Sequence, residues 1–330
     1  MTNTAQLPTD YWQSIDDALG PAAGRYFGTG YKHTGPSIGQ VQVRHDAQAS
    51  RLAGHASVTG DQLSTTDAVA LVTEALVGLV AARYCPEAAR ETRMIALDLR
   101  ASAKPLGAPL DDFPVHARLS DESGGTLSIE ASIGNITAVG QVVRPTEASS
   151  LVDVDSAERL PSLFGVGEEL AYQRRTVALT RVTSRSPAEA EADFEVTADR
   201  PAADRPADGR SVADRSAGAR TGGGHLGGDD VGEVCFIDAF VGAVQLGQLL
   251  LARLDGLDEF GGLFTRRTSF RVDRPLRTSQ RSLLHTRLGR SRIVRLEGSP
   301  WRCADIVAGV GDAMTVTCSV GHRLPDTHQV

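Results

Sequence analysis

The sequence predicts an α+β fold in which two antiparallel sheets are each wrapped around a long central helix. Three observations predict it. Two helical segments are apolar on nearly every side, and such a helix has to be enclosed rather than laid on a surface. Each is accompanied by short runs in which apolar and polar residues alternate, the period of a half-buried strand. The order of strands, long helix, then more strands occurs twice in 330 residues, enough chain for one large domain or two modest ones.

The elements follow in order. The N-terminus, MTNTAQLPTD, is polar and lacks the charged-then-apolar pattern of an export signal. GQVQVRHDAQASRLAGHASVTG (Gly39 to Gly60) reads as two strands, and STTDAVALVTEALVGLVAARY as the first helix, capped by Ser64, Thr65 or Thr66. MIALDLRAS, FPVHARLS and GTLSIEASIGNITAVGQVV are strand-like, with Leu127, Ile129, Ala131 and Ile133 alternating in the last. RRTVALTRVTSR and EAEADFEVTA open the second half. The stretch from Ala198 to Gly224 repeats Ala-Asp-Arg-Pro units, with four Asp, five Arg and no apolar interruption but Val212. It buries too little to offset the entropy of ordering and reads as a mobile loop or linker. CFIDAFVGAVQLGQLLLARLDG (Cys235 to Gly256) is the second helix. FTRRTSFRV, SLLHTRLG, RIVRLEG and AMTVTCSVG are further strands, with Met314, Val316, Cys318 and Val320 alternating. A sheet curled around one helix is the hotdog arrangement, and two copies in a chain make a double hotdog. Its expected units are residues 1–165, an N-terminal segment plus the first copy, and residues 166–330, the second copy with an insertion at 198–224.

Composition narrows the function. The net charge is −7, and the four cysteines, Cys85, Cys235, Cys303 and Cys318, have no paired short spacing. That argues for a reducing cytoplasm, without a zinc ribbon or a disulfide framework. The apolar run Val69 to Ala82 is shorter than the roughly 20 residues of a membrane span, and Phe236 to Leu254 carries Asp238, Gln245, Gln248 and Arg253, so no span is expected. Arg266 to Arg302 holds eleven arginines against Asp273 and Glu297. These are either solvated strand faces or a surface for a phosphate-bearing or acidic carrier partner. Aromatic residues are too sparse there for nucleic-acid stacking. GGGHLGG (Gly222 to Gly228) lacks the Lys-Ser/Thr of a phosphate loop, and the chain has neither a nucleophile elbow nor His-Glu-x-x-His, so no metal and no nucleotide cofactor is expected.

Asp238 sits near the first turn of the second helix, where burying a carboxylate is costly. A helix start offers free N–H groups and a positive dipole end to a carbonyl oxygen or oxyanion. A carboxylate there, facing a histidine from the other copy, makes a general acid–base pair. The plainer alternative is that Asp238 caps the helix. FIDAFVGAVQ resembles the Leu-Leu-Asp-Ala helix start of polyketide-synthase dehydratase domains, with Asp238 and Ala239 in the matching places. It departs from them upstream, where Glu233 and Val234 replace His-Pro, and in lacking a glutamine one turn past the acid, although Gln245 lies two turns on. His55 is the first candidate for the histidine partner and His45 the next; His225, flanked by glycines, reads as exposed. Glu74 in VTEALVG resembles the Glu-Ala of acyl-carrier-protein dehydratases, or else pairs with an arginine.

SIDDALGPAAGRYFGTGYKH (Ser14 to His33) resembles the opening of the avirulence D (AvrD) family, through Asp17, Leu19-Gly20-Pro21, Arg25-Tyr26-Phe27-Gly28 and Gly30-Tyr31-Lys32. The resemblance implies a biosynthetic acyltransferase that joins a β-ketoacyl thioester to a ketopentose such as xylulose. Cyclisation then gives a syringolide-type butenolide, chemistry parallel to that of A-factor synthases. The thioester arrives on an acyl carrier protein or coenzyme A, with no further cofactor, and a double hotdog often pairs again as a homodimer. Within RYFGTGYKH, Gly28 and Gly30 allow a tight turn while Tyr26, Phe27 and Tyr31 cover a sheet edge. The other reading has Arg25 and Lys32 reaching the sugar or a carrier phosphate. Arg25, Tyr31, Lys32 and Gln245 are accordingly the substrate-binding candidates. The rival readings are a dehydratase or thioesterase of the same fold, and a non-catalytic acyl or lactone binder.

Overall fold

The computed structural model describes residues 10–46, 49–85, 88–89, 92–103, 106–121, 125–145, 171–198, 232–257 and 262–325. The predicted linker beyond Ala198, His225 and the boundary near residue 165 lie outside the described residues. Among these residues the strands are β1 (Asp10–Ser14), β2 (Ser37–His45), β3 (Ala49–Ser57), β4 (Arg93–Ala101), β5 (Phe113–Asp121), β6 (Thr126–Ile133) and β7 (Ile136–Val143). In the second half come β8 (Arg175–Ser186), β9 (Glu189–Ala198), β10 (Phe264–Val272), β11 (Ser282–Leu296), β12 (Ser299–Val310) and β13 (Met314–Arg323). A short helix, α1 (Ile15–Leu19), precedes the two long ones, α2 (Thr65–Arg83) and α3 (Phe236–Asp255).

All thirteen strands belong to one sheet, in the order β1-β8-β9-β11-β12-β13-β10-β4-β7-β6-β5-β3-β2. The two sheets expected from the sequence, joined edge to edge, are here one continuous sheet, because β4 and β10 hydrogen-bond to each other, with Leu97 opposite Phe270 and Leu99 opposite Thr268. α2 packs on β2, β3, β5 and β6, and α3 on β8, β9, β11, β12 and β13. The alternation read from the sequence holds: Leu127, Ile129, Ala131 and Ile133, like Met314, Val316, Cys318 and Val320, are buried. Both long helices, of 19 and 20 residues, have the length and hydropathy of a membrane span, yet most of each is buried inside this fold. The first of them, Thr65–Arg83, lies within the segment STTDAVALVTEALVGLVAARY read as a helix from the sequence.

Helix ends follow their sequences. Ser64 closes the start of α2 in a capping box with Asp67, and Gly256 ends α3 at φ 61, a left-handed conformation that glycine adopts without cost. SLLHTRLG and RIVRLEG are one strand, β11, interrupted by a bulge between Gly289 and Arg292. Sequence reading passed over β12, whose inward residues Ala304, Ile306, Ala308 and Val310 include small ones with a weak hydrophobic signal. It also passed over β1, which pairs with β8 of the second half, Trp12 opposite Val182. The N-terminal segment is thus bound to the second half. Arg253 stacks its guanidinium 5.5 Å from the Trp12 ring centroid and forms an ion pair with Asp10.

The same segment delivers Phe27 into the core, where an aromatic column runs from Phe27 to Phe240 at 5.7 Å, then to Phe270 at 6.1 Å and Phe236 at 4.8 Å. Phe270 comes from β10, so the column ties the N-terminal segment, α3 and the strand at the sheet junction together. The turn that aims Phe27 depends on Gly28: a Cβ there would lie 2.1 Å from the backbone oxygen of Ala22. The tight-turn reading of RYFGTGYKH therefore holds at Gly28. Gly28→Ala is expected to lower stability by about 2 kcal/mol or more through that backbone clash. Gly24→Ala, where a Cβ meets nothing within 4 Å, should stay within about 0.5 kcal/mol of the parent. Thermal melts of the two variants check this, and equal midpoints would contradict it.

Candidate functional site

A cleft of about 1860 Å³ opens between the two halves of the sheet. The start of α2 contributes Ser64 and Thr65, the N-terminal segment Arg25, Tyr26 and Phe27, and α3 contributes Gln248 and Ala252. Phe264, Thr265 and Arg266 of β10 and the β11–β12 hairpin complete the wall. The hydroxyls of Thr65 and Thr265, 200 residues apart, hydrogen-bond to each other across it. Leu19, Leu63, Leu263, Phe264 and Trp301 give it apolar stretches, between which a few polar groups are placed. That division suits a long ligand with one reactive polar end.

The structure joins two of the four predicted binding residues from distant parts of the chain. Arg25 donates through Nη1 to Gln245 Oε1 at 2.8 Å and through Nη2 to Asp16. Gln245 is buried on α3, and the Arg25 side chain, 13% exposed, reaches the cleft wall. Burial lowers the Arg25 pKa against the pull of Asp16. Tyr31 does not reach the cleft: it is a core residue whose ring stacks on Tyr172 at 6.1 Å. Lys32 is not part of the cleft wall either. Both substrate assignments are corrected, since the turn at Gly28 sends only Arg25, Tyr26 and Phe27 toward the cleft.

Asp238 is fully buried, but no imidazole of the described residues is among its partners and it does not line the cleft. Its Oδ2 accepts from the Cys235 N–H at 2.9 Å and from Arg175 Nη1 at 3.0 Å, and the same Nη1 donates to the Glu233 carbonyl at 2.8 Å. The capping alternative is the one the geometry provides, with Arg175 neutralising a charge that has no water to neutralise it. The histidines are corrected with it. Strand alternation puts His55 on the outer face of β3, with its side chain 51% exposed and its Nδ1 2.5 Å from Asp112. His45 lies at the far end of β2, its Nδ1 2.7 Å from Ser50 Oγ and near Arg83, at the opposite end of α2 from the helix entrance. Burial and Arg83 pull its pKa down. Glu74 accepts the Ile38 N–H of edge strand β2 at 3.2 Å, away from the cleft, and burial raises its pKa to about 7.

A second carboxylate escaped the sequence reading. Asp67 occupies in α2 the position that Asp238 occupies in α3, third in the helix and followed by alanine. That repeated Asp-Ala was the available signal. Asp67 is also fully buried, but its partners are hydroxyls. Ser64 Oγ donates to Asp67 Oδ2 at 2.5 Å and the Ser64 N–H at 3.0 Å. Thr66 Oγ1 lies 2.8 Å from Ser64 Oγ and 3.3 Å from the Tyr26 hydroxyl. Burial raises the Asp67 pKa against the hydrogen bonds from Ser64 and Thr34. Burial and the nearby Asp67 charge raise the phenols of Tyr26 and Tyr172. Asp67 Oδ1, Asp238 Oδ1 and the Tyr172 hydroxyl have no hydrogen-bond partner among the described residues. No group of three His, Cys, Asp or Glu side chains among these residues is placed to hold a metal, and all four cysteines are free thiols.

A family model described as Pseudomonas avirulence D protein (AvrD) matches residues 10–325. No curated protein matches the chain by sequence. Among solved structures, it is similar to the acyl-CoA thioesterase II TesB2 from Mycobacterium marinum, with 14% identity, 89% of this chain and 97% of that one covered, and a TM-score of 0.41. A tesB protein of Mycobacterium avium subs paratuberculosis shows 12% identity over 86% and 96% of the two chains, with a TM-score of 0.40. A trans-AT PKS dehydratase domain from Brevibacillus brevis shows 11% identity over 86% and 96%, with a TM-score of 0.39.

Glu74 supplies a pH test separate from catalysis. Its folded pKa, about 7, lies above the ordinary 4.5, so the folded chain holds this proton more tightly than the unfolded one. The group favours folding fully below pH 4.5, and that contribution is lost as pH rises through about 7. Glu74→Gln keeps an acceptor for Ile38. It is expected to raise stability at about pH 8 by on the order of 2 kcal/mol and to change little at about pH 4. Denaturant titrations at both pH values check it; an equal effect at each would contradict the assignment.

Proposed function

We propose, because the chain belongs to the AvrD family, that it is a double-hotdog enzyme joining a β-ketoacyl thioester to a ketopentose such as xylulose, with an acyl butenolide as product. The observation that carries this reading is the cleft, whose apolar stretches suit an acyl chain and whose wall carries Arg25, held from behind by the buried Gln245 and suited to the hydroxyls of a sugar. In the first step a sugar hydroxyl oxygen attacks the thioester carbonyl, a C–O bond forms, the C–S bond breaks, and the thiol leaves with the hydroxyl proton. In the second, the methylene carbon between the two carbonyls of the new ester adds to the sugar ketone. Loss of one water then leaves the ring double bond. The sum is one thiol and one water released per lactone.

The start of α2, with Ser64 and Thr65, lies at the cleft wall, and the positive dipole end of that helix is favourable for a developing oxyanion there. Arg266, Arg290 and Arg292 stand at the exposed part of the wall, suited to the phosphate of a carrier protein's pantetheine arm or of coenzyme A. Arg290 is held at φ 48 by the bulge in β11, a conformation that non-glycine residues adopt only where surrounding structure imposes it.

Incubation with a β-ketoacyl thioester, carrier-linked or coenzyme A-linked, and xylulose should give a lactone by mass spectrometry. Thiol release without lactone would instead indicate a thioesterase, turnover of a β-hydroxyacyl thioester a dehydratase, and binding without turnover a ligand-binding protein. Arg25→Ala should lower kcat/KM for the sugar about 10- to 100-fold, the loss of one or two charge-assisted hydrogen bonds. Unchanged sugar kinetics in that variant would remove Arg25 from the site.

A further inference from the structure

The two buried carboxylates at the helix entrances have different surroundings, and the difference points to where proton transfer takes place. Asp238 is closed off by Arg175. Asp67 is connected to the cleft by three hydroxyl groups in series, and both Tyr26 and Ser64 line that cleft. The order of donors along the series follows from counting hydrogens. The single hydrogen on Ser64 Oγ is given to the Asp67 carboxylate, so the contact between Ser64 and Thr66 needs the hydrogen of Thr66. Thr66 is then an acceptor toward Tyr26, whose own hydrogen is directed inward. The acceptor side of the Tyr26 oxygen is left for a group in the cleft.

We propose that Tyr26 is a catalytic residue of this cleft, and that Thr66, Ser64 and Asp67 behind it form a relay carrying a proton between the cleft and the buried carboxylate. The proposal rests on the acyl-transfer reading above and names the groups that move its proton. As the sugar oxygen bonds to the thioester carbonyl carbon, its hydrogen passes to Tyr26 and the Tyr26 hydrogen to Thr66. The Thr66 hydrogen passes to Ser64 and the Ser64 hydrogen to Asp67. When the tetrahedral adduct collapses and the C–S bond breaks, the same shifts run backward, the leaving sulfur takes a proton, and Asp67 returns to its charged form. No other reactant is consumed.

The surroundings favour this use of Asp67. Thr66 and Asp67 are fully or almost fully buried, and the series reaches the cleft at Ser64 and Tyr26. The titratable groups facing the carboxyl are Tyr26 from the N-terminal segment and Tyr172 from the turn before β8, with Cys235 beyond Tyr172. Arg25, on the cleft side, is already bound to Asp16 and Gln245. A carboxyl whose pKa is raised by burial is a better match for accepting a hydroxyl proton near neutral pH than an ordinary one.

Tyr26→Phe removes the acceptor without removing the ring. Its kcat for lactone formation is expected to fall about 100-fold or more, with KM for the thioester within about threefold of the parent. In the parent, kcat/KM should rise with pH as Asp67 loses its proton, with the midpoint above the usual carboxylate range. Asp67→Asn, which keeps an acceptor for the Ser64 N–H, should lose that limb and fall in rate by a similar factor. Full kcat in Tyr26→Phe, or an unchanged limb in Asp67→Asn, would overturn the relay. If the parent itself makes no lactone, the acyl-transfer reading fails, and the relay is judged by carbon-13 NMR of the aspartate carboxyls. Adding a β-ketoacyl pantetheine thioether with xylulose should shift the Asp67 signal in the parent and not in Tyr26→Phe. No shift in the parent, or the same shift in both proteins, would overturn it.

Discussion

A carboxylate at the third position of a buried helix must be satisfied where water cannot reach it, and both long helices of this chain begin with one. Each aspartate turns one oxygen back onto the N–H of the residue before the helix, which fixes where the helix starts. The remaining charge is met in two ways. Around Asp238, Arg175 and the Glu233 carbonyl form a closed ionic set that fastens the first residue of β8 to the start of α3. Around Asp67 the side-chain partners among the described residues are hydroxyls, and burial raises its pKa. One carboxylate is enclosed by an ion pair, and the other is joined through hydroxyls to side chains that line the cleft.

The single sheet turns that local difference into a site. Because β4 and β10 pair edge to edge, the N-terminal part of α2 faces the beginning of β10, and the hydroxyls of Thr65 and Thr265 meet across the junction. The N-terminal segment crosses from the first half to bind β8, and on the way the turn at Gly28 places Arg25, Tyr26 and Phe27 between the halves. A cleft bounded by both halves and by this crossing segment contains groups that no single half supplies. It also accounts for Arg25 meeting Gln245 across 220 residues of sequence.

Much of this was legible in the sequence, for definite reasons. The alternation at Leu127 to Ile133 and Met314 to Val320 is enforced by burial of one sheet face, so period marked the strands correctly. α3 was legible because its apolar residues surround it. The partners of Asp238 were not legible, since Arg175 lies 63 residues away and meets it only through the packing of α3 against the sheet that carries β8. His55 was chosen by its spacing from the helix, but spacing along a strand does not decide the face, and an odd-even difference put it outward. Asp67 was overlooked because its surroundings read as an ordinary cap, Ser-Thr-Thr-Asp, whereas Asp238 stood out against a greasy segment. The functional difference lies in the partners, which are tertiary.

The claim on which all of this depends is that the reacting carbonyl sits at the start of α2, beside Tyr26 and Ser64. A crystal structure with a non-hydrolysable β-ketoacyl thioether tests it most directly. The account predicts the ligand's carbonyl within hydrogen-bond distance of that helix start, and its chain along Leu63, Leu263 and Phe264. A ligand carbonyl found instead against Asp238 and Arg175, or an acyl chain outside the cleft between the halves, would contradict it.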